Sequence, residues 1–102
     1  MTKIKHLMVI DPAVEKPAIE SFNRIASVAP YPVTYHLPAL YGASSLGMYN
    51  SNVRGIIVMG SAASVNDDNK WQQDISEIMI DASSKGISIL GLCYGHQLIG
   101  HI

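Results

Sequence analysis

The chain has 102 residues, of which 48% are hydrophobic and 15% charged, and its formal net charge is -1. This balance predicts one globular domain with a modest core. The near-neutral charge and the absence of a Lys/Arg run predict no nucleic acid or membrane surface as a partner. A single cysteine cannot form an internal disulfide, and the N-terminal segment is unlike a signal peptide, so we expect a reducing cytoplasm.

Four short apolar segments predict β-strands. The run IKHLMVID ends at Asp-Pro, which is typical of the end of a buried strand. Between two prolines, apolar and polar residues alternate from Val33 to Leu37, which predicts a half-covered strand at a sheet edge. RGIIVMG has the unbroken apolar centre of a strand covered on both faces, and ISILGL is a fourth run.

Two segments between these runs predict helices. The first has Pro17 in its first turn and ends at Pro30, and the second ends at Lys85-Gly86. Their apolar stripes are Ile19, Phe22, Ile25, Ala26 and Ala29, and Trp71, Ile75, Ile78, Met79 and Ala82. ALYGASSLGMYNSNV is interpreted as a loop with one helical turn. The alternation predicts an α/β fold, a flavodoxin-like parallel sheet with helices on both faces.

The segment GLCYGHQLIG contains the only cysteine, Cys93, directly after the fourth strand. Ligands of parallel sheets collect at the carboxyl ends of the strands, and the start of a helix there stabilises a thiolate. Gly91 and Gly95 lie two residues before and two after Cys93, as in a nucleophile elbow. The alternative interpretation is a buried cysteine that acts only as a small apolar side chain.

An elbow nucleophile needs an oxyanion hole. The N–H of the residue after the nucleophile, here Tyr94, is expected to face the substrate oxygen. A second N–H must come from another loop, and the candidate is MGSAAS after the third strand, with Gly60 preceding the amide of Ser61. Taken alone, this segment is equally consistent with an ordinary turn.

GLCYGHQLIG closely resembles the elbow of class I (triad-type) glutamine amidotransferases, and IIVMGSAASV extends the similarity. The resemblance implies that Cys93 attacks the carboxamide of glutamine while the Tyr94 and Ser61 amides hold the oxyanion. It also implies that Gln97 helps to hold glutamine. Glutamate and ammonia would be the products, without a cofactor, and a synthetase domain or subunit would receive the ammonia.

The sequence departs from this family in two places. The family's oxyanion loop usually reads Gly-Gly-Pro, whereas this chain has Gly60-Ser61-Ala62. The family's catalytic His-x-Glu pair lies downstream of the nucleophile, beyond Ile102. We therefore expect residues 1–102 to be the N-terminal part of a single amidotransferase-like domain, inactive alone and completed by a C-terminal half or an oligomeric partner.

Other interpretations remain open at this point. A γ-glutamyl peptide hydrolase would share the fold and elbow, and a non-catalytic binding module would share the fold alone. Dinucleotide and P-loop motifs are absent, and the histidines show no metal-ligand spacing. His96 and His101 lie too far along the elbow helix to act as the base, and structural roles are predicted for them and for His6 and His36.

Overall fold

The chain folds into alternating strands and helices. The computed structural model describes residues 4–42, 44–60 and 70–91. Its elements are β1 (His6–Ile10), α1 (Ile19–Val28), β2 (Val33–His36), α2 (Pro38–Tyr41), a 3₁₀-helix (Ser44–Met48), β3 (Val53–Val58), α3 (Lys70–Ser84) and β4 (Ser88–Gly91). All four predicted strands and both predicted helices are confirmed. The segment interpreted as a loop with one turn forms most of α2 and the 3₁₀-helix instead.

The four strands form one parallel sheet in the order β2-β1-β3-β4. β1 and β3 are central, in agreement with their apolar sequences, and β2 lies at an edge as the alternation from Val33 predicted. The α/β, flavodoxin-like class is confirmed. Within the described residues, β4 is the strand at the opposite edge.

The main core lies between the sheet and α3. The register pairs Met8 with Ile56 and Ile10 with Val58, so these side chains share one face of the sheet. They are buried together with three residues of the predicted α3 stripe, Ile75, Met79 and Ala82. The burial of this stripe fixes α3 over β1 and β3.

The opposite face of the sheet is covered less completely. Tyr35 is in register with Val9 on this face, and its ring stacks on Phe22 of α1 with a centroid distance of 4.0 Å. Helices therefore lie on both faces, as predicted. The prediction that Ile19 belongs to the packed stripe of α1 is wrong, because its side chain is 55% exposed at the first residue of the helix.

The end of α3 is set by Gly86, which has a φ of 73°. The N–H of Gly86 donates to the carbonyl of Ser83, and the N–H of Ile87 donates to that of Ala82. This is the Schellman arrangement that a glycine permits, and it confirms the predicted helix end. The chain can then enter β4 at Ser88 without an intervening loop.

Two histidines are buried in the sheet. His6 lies on β1, with Nδ1 2.9 Å from the carbonyl oxygen of Ile4. The ring of His36 lies between the hydroxyl of Thr34, at 2.6 Å from Nε2, and that of Ser45, at 3.0 Å from Nδ1. The predicted structural roles agree with these positions. Alternation had placed His36 on the polar side of an edge strand, but contact with the 3₁₀-helix leaves it buried.

Protonation of His36 is expected to destabilise the fold at acidic pH. Burial, and then the charge of His6, lower the pKa of His36 from 6.5 to about 4. Because the pKa is lower in the folded state, the contribution of neutral His36 is complete above pH 6.5 and is lost as the pH falls toward 4. Between pH 7.5 and 5, this group should lower the free energy of unfolding by about 2 kcal/mol, measured by urea denaturation.

The control for this experiment is His36→Gln, which retains hydrogen-bonding groups but cannot become charged in this range. The acid-dependent loss of stability should be smaller in the variant by the same amount. An identical pH dependence in the two proteins would contradict a neutral, buried His36.

Candidate functional site

The carboxyl ends of three strands lie level at one edge of the sheet. Ile10 of β1 pairs with Val58 of β3, and Val58 pairs with Gly91 of β4. Neighbouring strands are about 4.8 Å apart, so the segments that follow these residues leave the sheet side by side. This is the edge at which parallel α/β sheets bind their ligands.

Two of the predicted site residues lie at this edge within the described residues. Gly91 ends β4, and Gly60 follows β3 by two residues. The other predicted site residues, Ser61, Cys93, Tyr94, Gly95 and Gln97, lie outside the described residues, as do His96 and His101. The elbow and the oxyanion hole therefore stay predictions. The structure shows only that the strands that precede them, β3 and β4, end at the same level of the sheet.

The approach to Gly60 is fixed by the backbone. The N–H of Met59 donates to the carbonyl of Ile10 over 2.9 Å, and the Met59 side chain is buried. The segment after β3 thus stays bound to β1 for one residue beyond the strand. Gly60 is placed next to the end of β1 as a result.

A pocket of about 410 Å³ lies beside Gly60. Its other lining residues come from the end of β1 and the loop that leads to α1: Asp11, Ala13, Val14, Glu15, Lys16 and Ala18. The sequence analysis did not identify this pocket. Its position at the carboxyl edge, next to a predicted oxyanion residue, makes it the candidate entrance to the site.

Asp11 is a fully buried carboxylate in the lining of this pocket. Its Oδ1 accepts a hydrogen bond from the N–H of Ala13 at 3.1 Å. Its Oδ2 accepts from the N–H of Ala18 at 2.8 Å and from the hydroxyl of Tyr35 at 2.5 Å. A buried carboxylate is costly unless its oxygens are bonded, and these three donors compensate that cost.

The Asp11 carboxylate also serves the start of α1. Ala18 is the N-cap residue, and its backbone N–H donates to Asp11, seven residues earlier in the chain. A negative charge at this end of a helix is favourable. Burial, and then the bond to Asp11, raise the pKa of Tyr35 well above its usual 10, so the phenol remains a donor at neutral pH. Through these hydrogen bonds, the Asp11 carboxylate links the end of β1 to β2 and to the start of α1.

A second tyrosine–aspartate pair lies near the amino end of β3. The hydroxyl of Tyr49 donates to Asp81 of α3, and Lys85 Nζ lies 2.9 Å from the same carboxylate oxygen. Burial, and then the bond to Asp81, raise the pKa of Tyr49 to about 12. Tyr49 also lines a surface pocket with Val53, the first residue of β3. This pair is therefore remote from the candidate site.

Metal-binding clusters and membrane-spanning helices are both absent from the part of the chain that the structure describes. No three or more His, Cys, Asp or Glu side chains there are grouped so that they could hold a metal ion. No helix among residues 4–42, 44–60 and 70–91 has the length and apolar character needed to cross a membrane.

Comparison with known proteins identifies the family. Residues 18–102 match the family model of glutamine amidotransferase class-I. The match covers most of the chain and includes the segments after β3 and β4. The protein belongs to the class I glutamine amidotransferase family.

Two relatives each align over 50 residues and cover 47% of this chain. GMP synthase [glutamine-hydrolyzing] of Clostridium kluyveri is 52% identical there, and a putative glutamine amidotransferase-like protein of Schizosaccharomyces pombe is 38% identical. The matched portion spans 8% and 20% of these proteins, respectively. The chain therefore corresponds to a small part of each relative.

The fold also has a counterpart among solved structures. The glutamine amido transferase of Methylobacillus flagellatus superposes with a TM-score of 0.63 at 19% sequence identity. The similarity covers 94% of this chain and 37% of that one. The parallel sheet and its helices are thus shared with a larger protein.

Removal of the Asp11 carboxylate should destabilise the protein strongly. In Asp11→Ala, two partly buried amides and the Tyr35 hydroxyl lose their acceptor, and we expect a loss of about 3 kcal/mol in the free energy of unfolding. Chemical denaturation monitored by circular dichroism measures this loss of stability. The matched control is Asp74→Ala, which removes a surface ion pair with Lys70 and should leave the free energy of unfolding nearly unchanged. Equal losses in both variants would contradict the structural role of Asp11.

Proposed function

We propose that residues 1–102 are the nucleophile-bearing N-terminal part of a single glutamine-hydrolysing amidotransferase domain. The observation that supports this most directly is the level pairing of Val58 with Gly91. It starts the Gly60 segment and the Cys93 segment from adjacent points, as an oxyanion loop and a nucleophile elbow require. Membership of the class I family, by a match that includes both segments, supports the same function.

In the proposed reaction, the Cys93 thiolate attacks the side-chain carbonyl carbon of glutamine. A C–S bond forms, and the carbonyl electron pair moves to the oxygen, where the N–H groups of Tyr94 and Ser61 stabilise the negative charge. Each such donor contributes about 3 to 4 kcal/mol to the transition state. Gln97 is proposed to hold glutamine in position during this attack.

The tetrahedral intermediate then collapses. The C–N bond breaks as the leaving nitrogen gains a proton, so ammonia departs and a glutamyl thioester of Cys93 remains. Water attacks the thioester and releases glutamate and the thiolate. The proton transfers require a base, and the family's His-x-Glu pair, expected beyond Ile102, would provide it.

Ser61 replaces a residue that is usually glycine in the family's oxyanion loop. The hydrogen bond from Met59 to Ile10 supports an oxyanion role, because it holds the backbone that precedes Gly60 against β1. Gly60 gives the next peptide the conformational freedom to direct the Ser61 N–H toward substrate.

The proposed substrate is glutamine rather than a γ-glutamyl peptide. The relative from Clostridium kluyveri is a glutamine-hydrolysing GMP synthase, and its matched portion is 52% identical to this chain. By analogy, the ammonia would pass to a synthetase domain or subunit. The elbow cysteine requires no cofactor for this hydrolysis.

The test is covalent labelling with 6-diazo-5-oxo-norleucine, a glutamine analogue that alkylates such cysteines. The complete gene product and its Cys93→Ser variant are incubated with the reagent and analysed by intact-mass spectrometry. We expect one adduct on the wild-type protein, located at Cys93 by peptide mapping, and no adduct on the variant, because serine is not activated as a thiolate.

Competition during labelling distinguishes the substrates. Glutamine should protect Cys93 at lower concentration than a γ-glutamyl dipeptide does. Better protection by the dipeptide would indicate a γ-glutamyl hydrolase. A folded gene product that takes up no label would refute the glutaminase proposal and favour a non-catalytic binding module.

A further inference from the structure

One wall of the pocket beside Gly60 depends on a single buried group. The loop 12–18 forms this wall, and the amides of Ala13 and Ala18, near its two ends, both donate to the carboxylate of Asp11. Val14, Glu15 and Lys16, which lie between these two anchored residues and line the pocket, are exposed. The position of the wall relative to Gly60 is therefore set through Asp11.

Tyr35 fixes the orientation of that carboxylate. Its hydroxyl and the N–H of Ala18 share Oδ2 of Asp11, and its ring is held by stacking on Phe22 at an interplanar angle of 7°. Replacing Tyr35 by phenylalanine would keep the stacked ring and remove only the hydroxyl. The carboxylate would then lose one of its three donors and keep only the amides of Ala13 and Ala18.

We propose that Asp11 is a positioning residue for glutamine hydrolysis, and that Tyr35 holds its carboxylate in place. This inference rests on the proposed function, since it takes the pocket beside Gly60 as part of the path or seat of glutamine. Both oxygens of Asp11 already accept hydrogen bonds from the protein, so the carboxylate acts through the loop 12–18 and not by contact with substrate.

The expected kinetic effect follows from the position of this wall. The loop 12–18 lines the pocket and carries none of the groups proposed for the chemical step, so a displaced wall should weaken the binding of glutamine more than it slows the reaction. A rise in KM with little change in kcat is the signature of lost binding interactions. The loss of one hydrogen bond to a charged group is sufficient to account for about a tenfold rise in KM.

The chain offers a matched control in Tyr49→Phe. Tyr49 also donates its hydroxyl to an aspartate, Asp81, but near the amino end of β3. Like Tyr35→Phe, this substitution removes one hydroxyl oxygen and its hydrogen bond to an aspartate. The bond lies at the opposite end of the sheet from Asp11. General destabilisation should affect both variants, whereas a role in the site should affect only Tyr35→Phe.

The experiment measures kcat and KM for glutamine hydrolysis by the complete gene product, together with Tm. Wild type, Tyr35→Phe and Tyr49→Phe are compared, with Asp11→Asn as a second variant at the site. We expect KM to rise about tenfold in Tyr35→Phe, with kcat within about twofold of wild type. Tyr49→Phe should keep both constants even if its Tm falls.

Each other outcome overturns a defined proposal. If wild type hydrolyses glutamine and the two tyrosine variants have the same KM, the positioning role is wrong and the proposed function stands. If kcat falls together with Tm in both Tyr35→Phe and Tyr49→Phe, the bond between Tyr35 and Asp11 only stabilises the fold, and the positioning role is wrong. If folded wild type hydrolyses no glutamine, the proposed function and this inference fail together. Tyr35→Phe decides the question even if Asp11→Asn does not fold.

Discussion

The structure depends on the level, in-register pairing of β1, β3 and β4. Ile10, Val58 and Gly91 lie side by side in adjacent strands. The same register places Met8 and Ile56 together in the core under α3 and brings the ends of these three strands to one edge of the sheet. A slip by one residue would turn every side chain of a strand to the other face. The core and the candidate site are therefore set by the same backbone pairing, and neither can shift alone.

Much of the fold could be predicted from the sequence, because burial leaves a local pattern there. The apolar runs identified the strands, and the stripe of α3 identified the side that faces the sheet. The apolar stripe did not predict the exposure of Ile19 at the first residue of α1. The burial of His36 could not be predicted, since it depends on a distant segment. His36 is enclosed with the help of Ser45, which lies in a stretch without helical periodicity.

The candidate site was predicted only in part. A glycine-bracketed cysteine after a strand is a local signal, and the sequence analysis used it. Asp11 was recognised only as the end of a strand, because its donors, Ala18 and Tyr35, are brought to it by α1 and β2. The available signal was an acidic residue at the carboxyl end of an apolar run, together with a tyrosine on a strand that could lie beside it.

The strand order also has a consequence for assembly during synthesis. β1 lies in the centre of the sheet, yet its partner β3 begins only at Val53, after β2 and both short helices have been made. Until then, one side of β1 presents unpaired backbone and apolar side chains to other chains. β4 pairs with β3 and is made later still. We expect the nucleophile segment to emerge next to a sheet in which β1, β2 and β3 are already paired.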